Sequence, residues 1–374
     1  CNMALKGGEF IIRNANTSEV FIPEQFGEEQ MMMASAATEF IDKEVVPQRE
    51  RFEKKDYGFT EQLMKQMGEM GFLGAGVPEN YGGLGMDFNT TMLICDRVSG
   101  ISGSLSTAYG AHTGIGTLPI LLYGTEEQKQ KYLPKIATGE MMACYCLTEP
   151  DAGSDANSGK TTAVLTDDGK HYIINGQKMW ISNAGFADLF IVFARIEDDK
   201  YISAFLVDKG TEGLTMNEEE DKLGIRASST RQVFFSDVKV PVENMLSERG
   251  NGFKIAMNAL NVGRIKLAAA CLDSARRVST LGVKYANERK QFGVPISSFG
   301  AIKTKIAEMV TRAYACESGV YRAGQDIEDN INRLASEGLS PQESKLRGVE
   351  EYAVECALLK VHGSELMQYV ADEG

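Results

Sequence analysis

Two short stretches of the sequence combine residue types that could enclose a planar cofactor. Residues 144–158 read Cys-Tyr-Cys-Leu-Thr-Glu-Pro-Asp-Ala-Gly-Ser-Asp-Ala-Asn-Ser, and Trp180-Ile181-Ser182-Asn183 follows downstream. The first stretch is a short β-like run that leads into an acidic, glycine-containing loop, and the second places a lone tryptophan on another predicted strand. Such a pair can form the walls around an aromatic ring system, and it favours a flavin site.

Each motif has an ordinary structural explanation when it is taken alone. An Asp-Ala-Gly-Ser-Asp loop is commonly a simple turn. Trp180 by itself would be interpreted as core packing, and Glu288-Arg289-Lys290 as a solvated helix end. Arg264 is harder to dismiss, because a charge in the otherwise apolar run 255–271 needs a partner. The ordered combination of motifs, rather than any single one, therefore supports a functional site.

Hydrophobic periodicity predicts the elements that must position these residues. Helical spacing runs from about 24 to 140, short strands rich in β-branched and aromatic residues fill 141–247, and helical spacing returns from 251. We therefore predict an α+β multidomain fold with an N-terminal α-helical domain (1–140), a central β-barrel or β-sandwich (141–250) and an incomplete C-terminal α-helical bundle (251–374). Strands and helices do not alternate, so a doubly wound nucleotide-binding sheet is not expected.

Composition limits the classes of protein that fit. At 374 residues the chain is expected to form two or three domains, and 43% hydrophobic with 24% charged residues is typical of soluble globular proteins. A net charge of −13 argues against a nucleic-acid partner. The absence of an 18-residue apolar run predicts that no segment spans a bilayer. Scattered cysteines and histidines predict reduced thiols and no metal site. Residues 1–13 show neither a signal nor a transit pattern, so a cytoplasmic location is expected.

Several motifs together resemble the acyl-CoA dehydrogenase family. Cys146-Leu147-Thr148-Glu149, Ala152-Gly153-Ser154-Asp155 and Ser158 fit the first family signature, and the similarity continues through the blocks at 180–183, 222–226 and 288–293. Within the family, residues 260–264, Phe299-Gly300-Ala301-Ile302 and the run Ala4-Leu5-Lys6-Gly7 resemble the very-long-chain branch. The resemblance covers nearly the whole chain.

The resemblance implies FAD as cofactor and assigns residues to it. The expected flavin contacts are Tyr145, Cys146, Leu147, Thr148, Gly153, Ser154, Trp180, Ile181 and Ser182 from one subunit, with Arg289 and Phe292 reaching the FAD of a neighbouring subunit. Thr148 would bond the edge of the ring, Trp180 would stack beside it, and Ser182 would reach its N5 side. Ser154, Asn261 and Arg264 would contact the substrate. A homodimer at least is therefore expected.

The catalytic base is where the sequence departs from the family pattern. Most members carry it on a glutamate in a C-terminal Glu-Gly-Thr motif, and a minority carry it on the helix position that is Gly263 here. We therefore expect no catalytic base among these residues, and a glutamate beyond Gly374 in its place. An apolar stripe of Val354, Ala357, Leu358 and Val361, without a predicted covering helix, likewise suggests that the chain is truncated at its C terminus.

The expected activity is the α,β-dehydrogenation of a fatty acyl-CoA thioester to the trans-2-enoyl-CoA. Electrons would then pass to an electron-transfer flavoprotein. Two alternatives stay open: an acyl-CoA oxidase of the same fold, and a non-catalytic assembly or scaffold protein. A nicotinamide-dependent enzyme is disfavoured, because residues 74–79 lack the third glycine of a dinucleotide fingerprint. Chain-length preference, membrane association and oligomer size are not determined by the sequence.

Overall fold

The computed structural model describes residues 5–14, 16 and 20–374. Along the chain, helices precede and follow a central run of strands, which confirms the predicted fold class. The helices are α1 (Glu9–Ile12), α2 (Glu28–Phe40), α3 (Glu50–Glu53), α4 (Tyr57–Glu69), α5 (Phe88–Val98), α6 (Gly103–Gly110), α7 (Leu118–Tyr123), α8 (Glu126–Thr138), α9 (Gly252–Ala270), α10 (Leu272–Glu288), α11 (Gly300–Ser336), α12 (Pro341–Glu351) and α13 (Ala353–Glu373).

The strands are short and build one mixed sheet and one hairpin. They are β1 (Ala143–Cys146), β2 (Thr162–Leu165), β3 (His171–Ser182), β4 (Leu189–Ile196), β5 (Ser203–Asp208), β6 (Leu214–Met216), β7 (Thr230–Pro241), β8 (Met245–Leu246), β9 (Lys290–Gln291) and β10 (Val294–Pro295). The sheet order is β6-β7-β3-β2-β4-β5-β8, and β1 pairs parallel with β4. β9 and β10 form the separate antiparallel hairpin.

Two compact units can be described within the chain. The first contains residues up to Gln48, Asp87–Ser102 and Arg264–Gly374, and the second contains Arg49–Met86 and Gly103–Gly263. The three predicted domain ranges follow the change from helix to strand and back along the chain, whereas the two units are defined by compactness. Their boundaries at 140/141 and 250/251 stay a prediction.

The mixed sheet of the second unit is built around an apolar core. Phe190, Phe205 and Val233 have no more than traces of exposed surface and pack with alternate residues of the neighbouring strands. β1 and β4 are buried on both faces almost throughout, as their uninterrupted apolar sequences require. The flanking elements therefore hold the residues that follow β1 in a defined position.

Capping residues set the starts of two helices. The Thr125 hydroxyl accepts a hydrogen bond from Gln128 N at the start of α8, and Thr125 N donates one to Gln128 Oε1. Ser340 caps α12 by accepting from Glu343 N, with Pro341 at the first helical position. Both arrangements satisfy backbone N–H groups that a helix leaves free at its N terminus.

One sequence-based expectation about membranes needs correction. Within the described residues, Gly252–Glu288 is long and apolar enough, by length and composition alone, to cross a bilayer. The segment contains no uninterrupted apolar run, because a few charged residues interrupt it. In the apolar window of this segment, 61% of the residues are buried inside the protein, and a buried core helix passes the same test. The finding is therefore weak evidence for a membrane span.

The apolar stripe predicted on the last helix is exposed. Val354, Leu358 and Val361 on α13 keep 53%, 50% and 50% of their surface accessible. The buried face of α13 is a different one and includes Cys356, Leu359, Gly363 and Leu366. The sequence pattern identified the helix but not the face that packs within the first unit.

Candidate functional site

A β-bulge places the only tryptophan of the sequence at the surface of the second unit. Lys178 pairs with Val233 and Ile181 pairs with Arg231, so two residues of β3, Met179 and Trp180, oppose a single residue of β7. Trp180 has a φ of 58° and its side chain is 60% exposed. A bulge redirects a side chain out of the regular sheet, and a bulky residue rarely adopts a positive φ without a functional reason.

The same bulge connects the tryptophan to the first signature. Met179 N donates a hydrogen bond of 2.9 Å to the Thr148 carbonyl. Thr148 is half-buried, and so is Ser182, which pairs with Thr230 of β7. Ile181, which precedes Ser182 on β3, is buried. The structure thus brings together the two stretches that the sequence predicted to face one slot.

The residues that lead to Thr148 are buried in the second unit. Tyr145, Cys146 and Leu147 are all buried. The Tyr145 ring packs edge-on against Phe193 at 4.9 Å between centroids, and its hydroxyl has no hydrogen-bond partner among the described residues. Burial raises the pKa of the Tyr145 phenol. The side chains of these residues face protein, so any ligand contact of Tyr145 to Leu147 involves their backbone.

The glycine-containing loop after Thr148 is open. Glu149 and Ala152 exchange backbone hydrogen bonds of 3.0 and 3.1 Å, which close a tight turn. Gly153 and Ser154 are exposed, and no heavy atom of the described residues lies within 4 Å of the position that a Gly153 Cβ would occupy. The backbone and hydroxyl groups here are accessible to a ligand, and the predicted contacts of Gly153 and Ser154 with FAD and of Ser154 with substrate stay predictions.

A buried ion pair lies beneath this site, and the sequence did not single it out. Lys178 Nζ lies 2.6 Å from Glu149 Oε1, and both side chains are almost completely buried. Glu149 is part of the first signature, and Lys178 precedes Trp180 by two residues. The only available sequence signal was that proximity, because a lysine in a strand is usually exposed.

The remaining predicted site residues lie elsewhere in the chain. Arg289 and Phe292 belong to the first unit, at the β9–β10 hairpin, and Phe292 is 92% exposed with a φ of 52°. Asn261 is buried and Arg264 is half-buried, three residues apart on α9, which places them on one side of that helix. Their predicted contacts with FAD and substrate stay predictions.

The geometry around Trp180 suits a planar ring with hydrogen-bonding edges. The exposed indole offers an apolar face, while Thr148 and Ser182 hold hydroxyl groups on the two segments that the Met179–Thr148 bond joins. Apolar faces with a few fixed polar groups are the usual lining of cofactor sites. The residues present therefore fit the isoalloxazine ring of a flavin.

Comparison with known proteins shows the family. The N-terminal, middle and C-terminal domain models of acyl-CoA dehydrogenases match residues 27–140, 144–238 and 250–374. The chain belongs to the acyl-CoA dehydrogenase family. A probable acyl-CoA dehydrogenase of Bacillus subtilis is 46% identical over 99% of the chain, and a Bacillus anthracis acyl-CoA dehydrogenase solved with FAD superimposes with a TM-score of 0.95 at 45% identity, over 99% of the chain.

The chain spans 62% of the length of the B. subtilis relative and 63% of the B. anthracis chain. The expected C-terminal truncation is not confirmed, because the C-terminal domain match runs through residue 374.

Relatives of different chain-length specificity are about equally similar. The human very long-chain specific enzyme is 41% identical over 82% of this chain and 45% of its own length. A short-chain specific enzyme of Clostridium acetobutylicum is 40% identical over 79% of this chain and 78% of its own length. These matches do not separate the very-long-chain branch from others.

Proposed function

We propose that the protein binds FAD at the Trp180 bulge and catalyses the α,β-dehydrogenation of fatty acyl-CoA thioesters to trans-2-enoyl-CoA. The observation that carries the proposal is the exposed indole, held at a strained φ beside the Thr148 backbone. Membership of the acyl-CoA dehydrogenase family and the FAD complex of the B. anthracis relative support it. When bound, FAD would supply the acceptor for the β hydride of the thioester.

The residues of this chain would bind and orient the two ligands. Thr148 and Ser182 would hold the ring edge, Trp180 would cover one side of it, and the open Gly153-Ser154 loop would bind anionic groups. Asn261 and Arg264 on α9 would contact the thioester end of the substrate. None of the described residues is assigned as the base.

Electrons are proposed to leave through an electron-transfer flavoprotein, and the protein is proposed to be a homo-oligomer. Phe292 is 92% exposed on its hairpin and is therefore accessible to a neighbouring subunit. The resemblance to the very-long-chain branch rests on residues 260–264 and 299–302 and assigns no chain-length preference. The cytoplasmic location stays a prediction.

The single tryptophan allows a direct test of cofactor binding. FAD is titrated into the cofactor-free protein while Trp180 emission is recorded, and stacking beside the ring is expected to quench that emission. Riboflavin serves as a control that lacks the phosphate groups and should bind more weakly. A protein that stays colourless and unquenched at saturating FAD would contradict the proposal.

Substrate class is tested by adding acyl-CoA esters of increasing chain length to the FAD-loaded protein without oxygen. Bleaching of the flavin reports dehydrogenation, and peroxide release in air would instead assign an oxidase. Because no base is assigned among the described residues, absence of bleaching with retained FAD binding would favour the scaffold alternative only if Gly263→Glu does not restore it.

A further inference from the structure

We propose that Lys178 and Glu149 are positioning residues. Their buried ion pair fixes the Leu147–Thr148 backbone against the Met179–Trp180 bulge and so shapes the proposed flavin site. This inference rests on the function proposed above. Neither side chain is accessible to a ligand, since Lys178 is 1% and Glu149 6% exposed. Their effect on a cofactor would therefore pass through the backbone that they hold.

Lys178 joins the two walls of the site. Its Nζ lies 2.6 Å from Glu149 Oε1 and donates a second bond of 3.2 Å to the Leu147 carbonyl. The residue that follows Lys178 donates from its own backbone to the Thr148 carbonyl. Lys178 and Met179 thus hold two successive carbonyl groups of the signature segment, immediately before Trp180.

Glu149 extends the connection to the start of β2. Its Oε2 accepts a bond of 2.5 Å from Lys160 N, and both carboxylate oxygens accept from Thr161 N at 3.2 Å. A Cβ at Gly159 would lie 2.8 Å from Glu149 Oε1, so the chain passes the carboxylate at a distance that only glycine allows without a shift. The Glu149 carboxylate is thus held by Lys178 and by two backbone N–H groups.

Stability alone does not account for the choice of these residues. Burying an ion pair removes two charges from water, and well-packed apolar residues often stabilise a fold as well or better. Burial lowers the pKa of Lys178, and for Glu149 the attraction to Lys178 and its hydrogen bonds outweigh burial and hold the pKa below its ordinary value. An apolar pair would fill the same space but could not bond the Leu147 carbonyl.

The test uses the whole chain and the emission of Trp180. Lys178→Met, Glu149→Gln and the double variant are compared with wild type for FAD dissociation constant, for emission maximum without cofactor, and for melting temperature. We expect each single variant to bind FAD about tenfold more weakly or worse, the scale of one lost positioned hydrogen bond. The emission maximum of the cofactor-free variants should also shift, because the bulge relaxes.

The double variant separates positioning from stability. It leaves no unpaired buried charge, so its melting temperature should stay near that of wild type while FAD binding remains weakened. Asp151→Asn is the matched control: it removes the exposed 2.8 Å ion pair to Lys160 in the same loop, and should change neither quantity.

Two outcomes would overturn the proposal. One is a double variant that binds FAD as tightly as wild type, and the other is a cofactor-free Lys178→Met protein with an unchanged emission maximum. Failure of wild type to bind FAD would instead refute the proposed function, while the emission measurement on the cofactor-free protein would still test the role of Lys178.

Discussion

At the scale of single residues, Trp180 combines two unfavourable features. A left-handed backbone conformation costs about 1–3 kcal/mol for a residue with a Cβ. In addition, 60% of the side chain is left in water, so little apolar burial offsets this cost. Such a combination persists where the side chain serves a purpose other than folding.

Replacement of Trp180 should therefore separate stability from binding. Trp180→Gly relieves the strained φ of 58°, whereas Trp180→Ala keeps the Cβ and the strain, and both remove the indole. We expect the glycine variant to exceed the alanine variant in unfolding free energy by about 1 kcal/mol. Both should lose FAD affinity equally. Urea denaturation and FAD titration by flavin absorbance measure the two effects, and equal stability of the variants would refute the assigned strain.

Gly263 on α9 offers a test of the missing base. No heavy atom of the described residues lies within 4 Å of the position of an added Cβ, so a side chain fits without displacing a neighbour. The resemblance places an alternative base at this position. We expect Gly263→Glu to accelerate anaerobic flavin bleaching by acyl-CoA by about 10²-fold or more over wild type. Gly263→Gln is the control, and equal rates for the two variants would contradict the prediction.

At the scale of elements, an N-terminal segment is fastened to the junction of α12 and α13. Gly7 N donates to Glu351 Oε1 at 2.9 Å, Gly8 N donates to Glu355 Oε1, and the Tyr352 hydroxyl bonds the Leu5 carbonyl. A Cβ at Gly7 would meet the Glu351 carbonyl oxygen at 1.8 Å, so this close approach requires glycine. The segment precedes residue 27, where the family match begins, and Ala4 of the resembling run lies outside the described residues.

Asp326 on α11 makes the stability of the first unit depend on pH. Burial raises its pKa to about 6, Arg322 opposes the shift, and Asp329 together with Glu355 of α13 adds to it. Its Oδ2 is buried without a hydrogen-bond partner among the described residues. Because the folded state binds the proton more tightly than the unfolded chain, the stabilising contribution is complete near pH 4 and is lost as the pH rises through about 6.

Asp326→Asn removes this dependence. We expect its melting temperature to exceed that of wild type by about 2–4 °C at pH 8, with the difference vanishing near pH 4. Glu308→Gln removes an exposed carboxylate from the same helix that does not act on Asp326, and should not reproduce the pattern. Thermal melts followed by circular dichroism across this range provide the measurement, and a pH-independent difference would show that Asp326 ionises normally.

At the scale of the whole molecule, cofactor binding and assembly are expected to be linked. If Arg289 and Phe292 reach the FAD of a neighbouring subunit, FAD affinity must rise with protein concentration, because dissociation of the subunits removes these two contacts from each site. Phe292→Ser should lower FAD affinity by about tenfold and reduce the molar mass seen by light scattering. Ile12→Ser, at another strongly exposed apolar residue, is the control. Concentration-independent FAD affinity would place the whole cofactor site within one subunit.

The sequence by itself determined the order of helical and strand regions and the two motifs that meet at the site. Both are local properties: periodicity follows from the faces of single elements, and the signature is a contiguous string. Ser340 was identifiable as a helix cap for the same reason, since its partner lies three residues away.

Only the tertiary structure decided how those motifs act together. The bulge at Trp180 exists because β7 supplies one residue against two of β3, a register set by a strand far along the chain. The burial of Lys178 depends on Glu149, 29 residues earlier, and the exposed face of α13 depends on which helices pack against the other side. Pairing and burial between distant segments are not encoded in the local pattern of either segment. This is why the two motifs of the proposed flavin site could be predicted from the sequence but the contacts that support them could not.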